Sequence, residues 1–426
     1  MRLRIQNIGI IDTADINIDG ITVITGKNDS GKSTVGKVLY SIIRALNNDN
    51  SSFNEGKSNF IETKIKEIFN ILSRAKNSNE NDSLIVTEIV KFYFKNQRTR
   101  LKNKSEEISS DLFLIEINEK LQSHSNSSLK ETILKITKEI ESRENISIDS
   151  TLFLNFELTE HFKLEFGNQI SNFFLDKKSF AEINTNINTS LFAINDNNVS
   201  LEKKPRSFPY KNVLFIESPL FLNKKRADFS FNSLRDKRNY LNYSINKKEI
   251  SKDIFSDNSD KTQHLKKLIQ EVIGGDFSYN EKDEIIFNKK GHNFSLNNVA
   301  TGLKTFGAIQ LLIDNGSLNT DTLLIIDEPE VHLHPTWQVK FAEILVRLSK
   351  EFAIPMVLTS HSPYFIEALE AYSIKYNFEN STDFYFAQKD EKGESSKIIN
   401  INNNLNIVLD SISEAYYTLQ DIKDEL

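Results

Sequence analysis

Gly26-Lys27-Asn28-Asp29-Ser30-Gly31-Lys32-Ser33-Thr34 is the stretch whose reading decides the fold. It fits the P-loop pattern G-x-x-x-x-G-K-[ST], and both flanks agree with it. Ile21-Thr22-Val23-Ile24-Thr25 ahead of it is a short β-branched run that reads as a buried strand. Behind it, Val35, Val38, Leu39, Ile42 and Ile43 recur at helical spacing. Strand, glycine loop and helix together let successive backbone N–H groups and a helix N-terminus surround a polyphosphate. Residues 26–34 are therefore the expected nucleotide-binding residues. Lys32 would reach the β- and γ-phosphates, and the Ser33 hydroxyl would sit on Mg²⁺.

Upstream, Leu3–Ile8 and Ala14–Ile18 alternate like strands, with Asp19-Gly20 expected as a hairpin turn into the P-loop strand. Downstream, residues 41–143 are polar and mostly helical in pattern. Leu129, Ile133, Ile136 and Ile140 form one amphipathic stripe, and the Asn/Ser-rich stretches 47–52 and 123–128 read as loops. Strand-like runs resume at Leu152–Phe156 and Val213–Ile216, and a second polar, helix-rich segment spans about 223–272. The expected organisation is a β element and P-loop over 1–43, a helical insertion over 44–150, core strands over 151–222, a basic helical insertion over 223–290, and the remaining core over 291–426.

Leu323-Leu324-Ile325-Ile326-Asp327-Glu328 is four apolar residues ending in two carboxylates. This pattern reads as a central parallel strand emerging at its carboxyl edge, where open α/β sheets bind ligands. Asp327 would hold Mg²⁺ and Glu328 would polarise the attacking water, strand alternation pointing the two to different sides. Pro355–Pro363 is another buried strand ending in a polar turn, from which His361 could contact the γ-phosphate. Ala300-Thr301-Gly302-Leu303-Lys304, ahead of a helix expected to start near Thr305, combines a hydroxyl, a glycine and a helix N-terminus, an anion site.

Together the P-loop, Asp327-Glu328-Pro329-Glu330-Val331-His332-Leu333-His334-Pro335 and Thr359-Ser360-His361-Ser362-Pro363 resemble the ABC-type ATPases of the SMC, RecF and OLD (overcoming lysogenisation defect) group, the D-E-P-E-x-x-L-H-P and T-S-H-S-P forms most of all the OLD branch. The strong match covers roughly residues 1–40 and 290–370. The resemblance implies a two-lobed α/β head with a mixed sheet, helical insertions and hydrolysis of Mg²⁺–ATP. It also implies a homodimer or larger assembly in which two heads sandwich two nucleotides. In that sandwich Thr301 and Gly302 complete the other head's site, and His361 is the switch histidine. Leu303 and Lys304 stand where transport ATPases have glycine and glutamine, which speaks against a transporter subunit. For the Q-loop position only Gln169 and the Glu217-Ser218 strand end are candidates. OLD nucleases carry a Toprim domain after the ATPase. The 65 residues after His361 are too few for one, so an ATPase head without its own nuclease is expected. On that basis the chain is read as an anti-phage ATPase subunit controlling a separately encoded effector, with a RecF-like DNA-clamping ATPase as the alternative.

Other features bound the reading. There is no cysteine, which excludes disulfides and thiolate metal sites. No signal-peptide-like or membrane-spanning apolar run is visible, so a soluble cytoplasmic protein with no membrane partner is expected. The formal charge of −6 in 426 residues leaves room for local basic grooves. Lys224–Lys252 holds nine Lys/Arg against three acids, interleaved with Phe229, Phe231, Tyr240 and Tyr243, a mixture that suits nucleic acid through phosphate attraction and stacking, although a charge run of this kind is more often a solvated helical face. Ile89–Lys104 adds six basic residues and no acid. Val331-His332-Leu333-His334 has an H-x-H spacing, but with no further ligand nearby it is expected to be structural.

Overall fold

The computed structural model describes residues 1–47, 127–144, 150–203, 208–217, 235–246 and 259–408, with single positions at 64, 67, 68, 71, 222, 422 and 423. The chain divides into two compact units, residues 1–48 with 151–426 and residues 49–150. In the smaller unit Ser127–Glu144 is helical, and Ile133 and Ile136 of the expected apolar stripe are buried. The basic stretch 89–104 lies outside the described residues.

In chain order the strands are β1 (Arg2–Ile8), β2 (Ile11–Asn17), β3 (Ile21–Gly26), β4 (Ser179–Asn184), β5 (Thr189–Asn195), β6 (Asn198–Lys203), β7 (Asn212–Ile216), β8 (Asp276–Tyr279), β9 (Ile285–Lys289), β10 (His292–Ser295), β11 (Thr322–Asp327), β12 (Met356–Ser360), β13 (Thr382–Lys389) and β14 (Ser396–Asn400). The helices are α1 (Lys32–Asn47), α2 (Ser127–Glu144), α3 (Ser150–Phe166), α4 (Lys237–Asn246), α5 (Ser259–Ile273), α6 (Thr301–Asp314), α7 (Pro335–Phe352) and α8 (Pro363–Lys375).

Among the described residues, eleven strands form one mixed sheet in the order β6-β5-β4-β1-β2-β14-β13-β3-β12-β11-β7. The block β13-β3-β12-β11-β7 is parallel throughout. Its strands are apolar on both faces because each face is covered. Leu324 and Ile326 of β11 enter the core with α5–α8, whereas Leu323 and Ile325 enter the core with α1 and α3. The other half, β6-β5-β4-β1-β2, is antiparallel and packs one face only: Leu3 and Ile5 of β1 are buried while Arg2 and Arg4 are exposed. This is a mixed α/β fold, as expected.

Four local expectations change. Leu152–Phe156 is helical, the first turns of α3, because Leu154, Leu158 and Phe162 form a buried i, i+4, i+8 stripe that a five-residue window does not reveal. Asp19-Gly20 does not close a hairpin. β3 is flanked by β13 and β12, so the turn delivers the chain to a non-neighbouring position, Gly20 taking φ +60° with no room for a Cβ against the Ser381 carbonyl. The segment 223–290 is not helical to its end: Gly274 at φ +67° stops α5, and β8, β9 and β10 form a small antiparallel sheet with Phe277 and Phe287 turned inward. Finally, α6 begins at Thr301 and not near Thr305, with Ala300 at its N-cap position and no side-chain cap to mark the start.

Candidate functional site

The carboxyl ends of the parallel strands lie at one edge, in register: Thr25 of β3 pairs with Ser360 of β12, Asp327 of β11 with Thr359, and Ile326 with Ile216 of β7. The P-loop leaves β3 at that edge and runs into α1. Gly26 at φ +146° and Gly31 at φ +88° hold backbone that a side chain would obstruct. A Cβ on Gly26 would stand 2.8 Å from the Ala387 carbonyl, and one on Gly31 2.9 Å from Ile10 and Ile11. Asp29 adopts φ +56° and is held by Lys389 at 3.0 Å.

The Lys32 ammonium is buried and donates to the carbonyls of Gly26 and Lys27, both at 3.0 Å, bracing the loop from inside. Burial holds its pKa below the ordinary lysine value, and the charges of Glu328, Asp327 and Glu330 pull it part of the way back. The Ser30 hydroxyl is buried with no hydrogen-bond partner among the described residues. A buried orphan hydroxyl in a loop of backbone donors fits a ligand that supplies oxygens.

Ser33 donates to Asp327 Oδ1 at 2.8 Å, and the Thr359 hydroxyl donates to the same oxygen. Thr359 also fixes the next residue, since the Glu328 N–H donates to the Thr359 carbonyl and hydroxyl oxygens, each at 3.1 Å. Glu328 takes φ +50°, so the strand ends at Asp327. The two acids are separated by this left-handed turn, not by strand alternation as expected. Glu328 Oε1 lies 3.3 Å from His361 Nδ1, and Glu330 Oε1 lies 3.5 Å from it.

Glu330 went without a role in the sequence reading, although it stands two residues after Glu328 in the D-E-P-E tract. Its Oε1 accepts from the Ser360 hydroxyl at 2.7 Å, the His361 N–H at 3.0 Å and the Ser362 N–H at 3.3 Å. Its Oε2 is buried with no hydrogen-bond partner among the described residues. Burial pushes this carboxyl above the ordinary glutamate value, and hydrogen bonds from the Ser360 hydroxyl, its own backbone N–H and the His361 N–H oppose the rise.

Thr301 and Gly302 open α6. A Cβ on Gly302 would stand 2.7 Å from the His332 carbonyl, so this helix start rests on the turn that follows the acids. His334 N-caps α7, its Nδ1 accepting from the Thr336 N–H at 3.4 Å, and among the described residues no His/Asp/Glu group has a metal-binding arrangement. The H-x-H spacing is a cap and a turn. Gln169 is exposed beyond α3. Glu217 directly follows β7, at the same edge as Asp327.

The Glu217 carboxylate faces the basic segment. Lys237 bridges Glu165 at 2.6 Å and Glu217 at 3.2 Å, Arg238 holds Glu217 at 2.8 Å, and Arg235 pairs with the buried Glu157. Tyr240 lies under the Arg44 guanidinium, 3.6 Å from its ring centre. The three described basic residues of 224–252 are thus committed to carboxylates; the other six lie outside the described residues. Replacing Lys237 by methionine strips the largely buried Glu165 side chain of its ion-pair partner and leaves Glu217 to Arg238 alone. Denaturant unfolding should show a loss of about 3 kcal/mol, with no change in affinity for duplex DNA. Weakened DNA binding at unchanged stability would reverse this view of the residue.

His161 of α3 sits inside the same network, 1% exposed, and burial with the nearby Arg44 and Arg235 charges pushes its pKa down to about 3. Its folded pKa is below the unfolded value near 6.5, so the stability it confers is full above that pH and drains away as pH falls toward 3. Between pH 7.5 and pH 5 the wild type should lose about 2 kcal/mol more than a His161→Leu variant. Parallel pH profiles would contradict the assignment.

Comparison with known proteins decides the family. The sequence profile described as AAA ATPase domain matches residues 1–366. The chain belongs to the AAA ATPase domain family. A curated relative, the Retron Vc95 probable ATPase of Vibrio cholerae serotype O1 biovar El Tor, is 23% identical over 416 residues, covering 90% of this chain and 75% of that protein. Among solved structures, the SMC head domain from Thermotoga maritima aligns at 10% identity and a TM-score of 0.40 over 94% of this chain and 98% of that one. A Pyrococcus yayanosii Smc head domain with a coiled coil and joint aligns at 12% and 0.37 over 97% and 99%. At that overlap the ATPase's own strand order defines its fold. The ATPase binds and hydrolyses ATP. None of its described helices is long and apolar enough to cross a membrane.

Proposed function

We propose that this ATPase is a dimerising switch of the OLD type, in which ATP closes two heads on each other and hydrolysis releases them, and that it controls a separately encoded effector in anti-phage defence. The observation that carries the switch is the continuous set Ser33–Asp327–Thr359 and Glu328–His361 at one sheet edge. Glu328 is the base that orients water, and Lys32 and His361 take up charge on the transferring phosphoryl group. Ser33 and Asp327 offer the oxygen-only donors that suit Mg²⁺, which when bound neutralises phosphate charge. Gly26 to Thr34 cradle the phosphates. Thr301 and Gly302 face the partner's nucleotide, each helix start meeting a phosphate across the dimer.

The effector role draws its support from the retron-named relative, the RecF-like alternative from the basic segment, whose described residues are already paired. The deciding experiment is the mass of the Glu328→Gln protein, co-expressed with its adjacent genes, with and without ATP. A second protein joining an ATP-dependent assembly supports effector control. An ATP-locked homodimer that retains DNA moves the clamp ahead, and a species that ignores ATP rejects both.

A further inference from the structure

Glu330 is the strongest unassigned group near the site. It is 4% exposed, lies three residues beyond Asp327 and, among the described residues, has no lysine or arginine within ion-pair distance, its basic neighbour being the imidazole of His361. A buried carboxylate is costly unless its surroundings use it, and an apolar side chain of similar size would avoid the cost. Here the surroundings concentrate on one atom. Oε1 gathers the Ser360 hydroxyl and two consecutive backbone N–H groups, those of His361 and Ser362. Those three donors run from the last residue of β12 into the turn that follows it, and their common acceptor belongs to the turn after β11. A single oxygen therefore sets the backbone on both sides of His361. A second brace runs parallel: the Ser362 hydroxyl donates to Gln338 Oε1 at 2.5 Å, and Gln338 donates to the Leu333 carbonyl at 3.0 Å. His361 itself is half exposed, and among the described residues these supports and the carboxylates beside Nδ1 fix it.

We propose that Glu330 is the positioning residue for His361, holding through one carboxylate oxygen the turn that presents the imidazole beside Glu328 to the transferring phosphoryl group. The assignment rests on the role given to His361 above. An imidazole displaced by about 1 Å forfeits much of its value to a transition state, of order 10²-fold, while nucleotide binding, made by the P-loop, is spared.

The test is a double-mutant cycle on the full-length protein, with steady-state hydrolysis, ATP affinity and thermal unfolding read for each variant. Glu330→Ala should lower kcat about 10- to 100-fold with ATP affinity within about twofold. Glu330→Gln keeps an acceptor oxygen and should recover most of the rate. On a His361→Ala background, Glu330→Ala should cost nothing further. Ser360→Ala removes one donor and gives a milder version, again with no effect once His361 is absent, and it serves if the Glu330→Ala protein does not fold. Additive losses in the cycle, or a Glu330→Ala defect that appears in affinity and unfolding temperature together without rescue by glutamine, overturn the proposal. If His361→Ala hydrolyses ATP at the wild-type rate, the role of His361 falls and this assignment with it. If His361→Ala is slow while Glu330→Ala and Ser360→Ala are not, this assignment alone falls.

Discussion

Glu328→Gln should bind ATP as tightly as the wild type and hydrolyse it about 10²- to 10⁴-fold more slowly, the range a positioned general base contributes. The substitution is nearly isosteric, and the backbone it inherits is fixed independently of the side chain. The Glu328 N–H is held by two oxygens of Thr359, and φ +50° is no harder for glutamine than for glutamate. What is lost is a charged acceptor 3.3 Å from His361 at the mouth of the P-loop edge. Removing a negative charge near bound phosphates relieves repulsion, so affinity stays equal or rises. Under the proposed switch the consequence is structural: heads that close on ATP and do not hydrolyse it remain closed, and an ATP-dependent doubling of mass persists through gel filtration. Single-turnover hydrolysis and mass in the same samples separate the two claims. A variant hydrolysing within about threefold of wild type would move the base elsewhere. A variant that binds ATP, fails to hydrolyse it and stays monomeric would retain the base and remove the sandwich.

The legible parts of this molecule are those whose chemistry is local in sequence. The P-loop needs nine consecutive residues in one geometry between a strand and a helix, and 21–47 supply all three. The acids at 327 and 328 and the turn at 359–363 were visible because a buried parallel strand is an unbroken apolar run that ends where its polar residues begin. Their sharing of one edge followed from strand order, but the reason the two acids diverge did not. That reason is a left-handed residue held by Thr359, 31 positions away. Glu330 escaped for the same cause, since its three donors come from a strand end and turn 30 to 32 residues distant and a lone glutamate after a strand reads as solvated. The misreading of 152–156 has another origin: five mostly apolar residues fit either a strand or one and a half helical turns, and only Leu158 and Phe162 further on resolve the period. In the basic segment, charge was countable from composition. Its pairing with Glu157, Glu165 and Glu217 was not, because those acids are scattered over a helix and a strand end far upstream.

Lys32→Met should abolish measurable nucleotide binding while leaving the fold intact. The Lys32 ammonium lies within the loop, its pKa already lowered by burial, and its visible bonds are to two carbonyls of that loop. Methionine follows the same path with similar volume and carries no charge to desolvate. The carbonyls of Gly26 and Lys27 lose a donor, costing about 1 kcal/mol each, and the end of the desolvation penalty offsets part of that. Apo thermal unfolding should therefore shift by only a few degrees. Binding behaves otherwise. Each charge-assisted hydrogen bond to a phosphate oxygen contributes about 1.5–3 kcal/mol, so losing two weakens ATP by roughly 10²-fold or more. Three negatively charged carboxylates, Asp327, Glu328 and Glu330, also lose the cation that balances them at this edge. Calorimetric titration with ATP and with inorganic triphosphate should fail alike, because the missing group addresses phosphate and not the base. Wild-type affinity in a folded Lys32→Met protein would mean that residues 26–34 are not the cradle. Loss of ATP binding with triphosphate binding retained would mean that Lys32 acts only indirectly, through the shape of the loop.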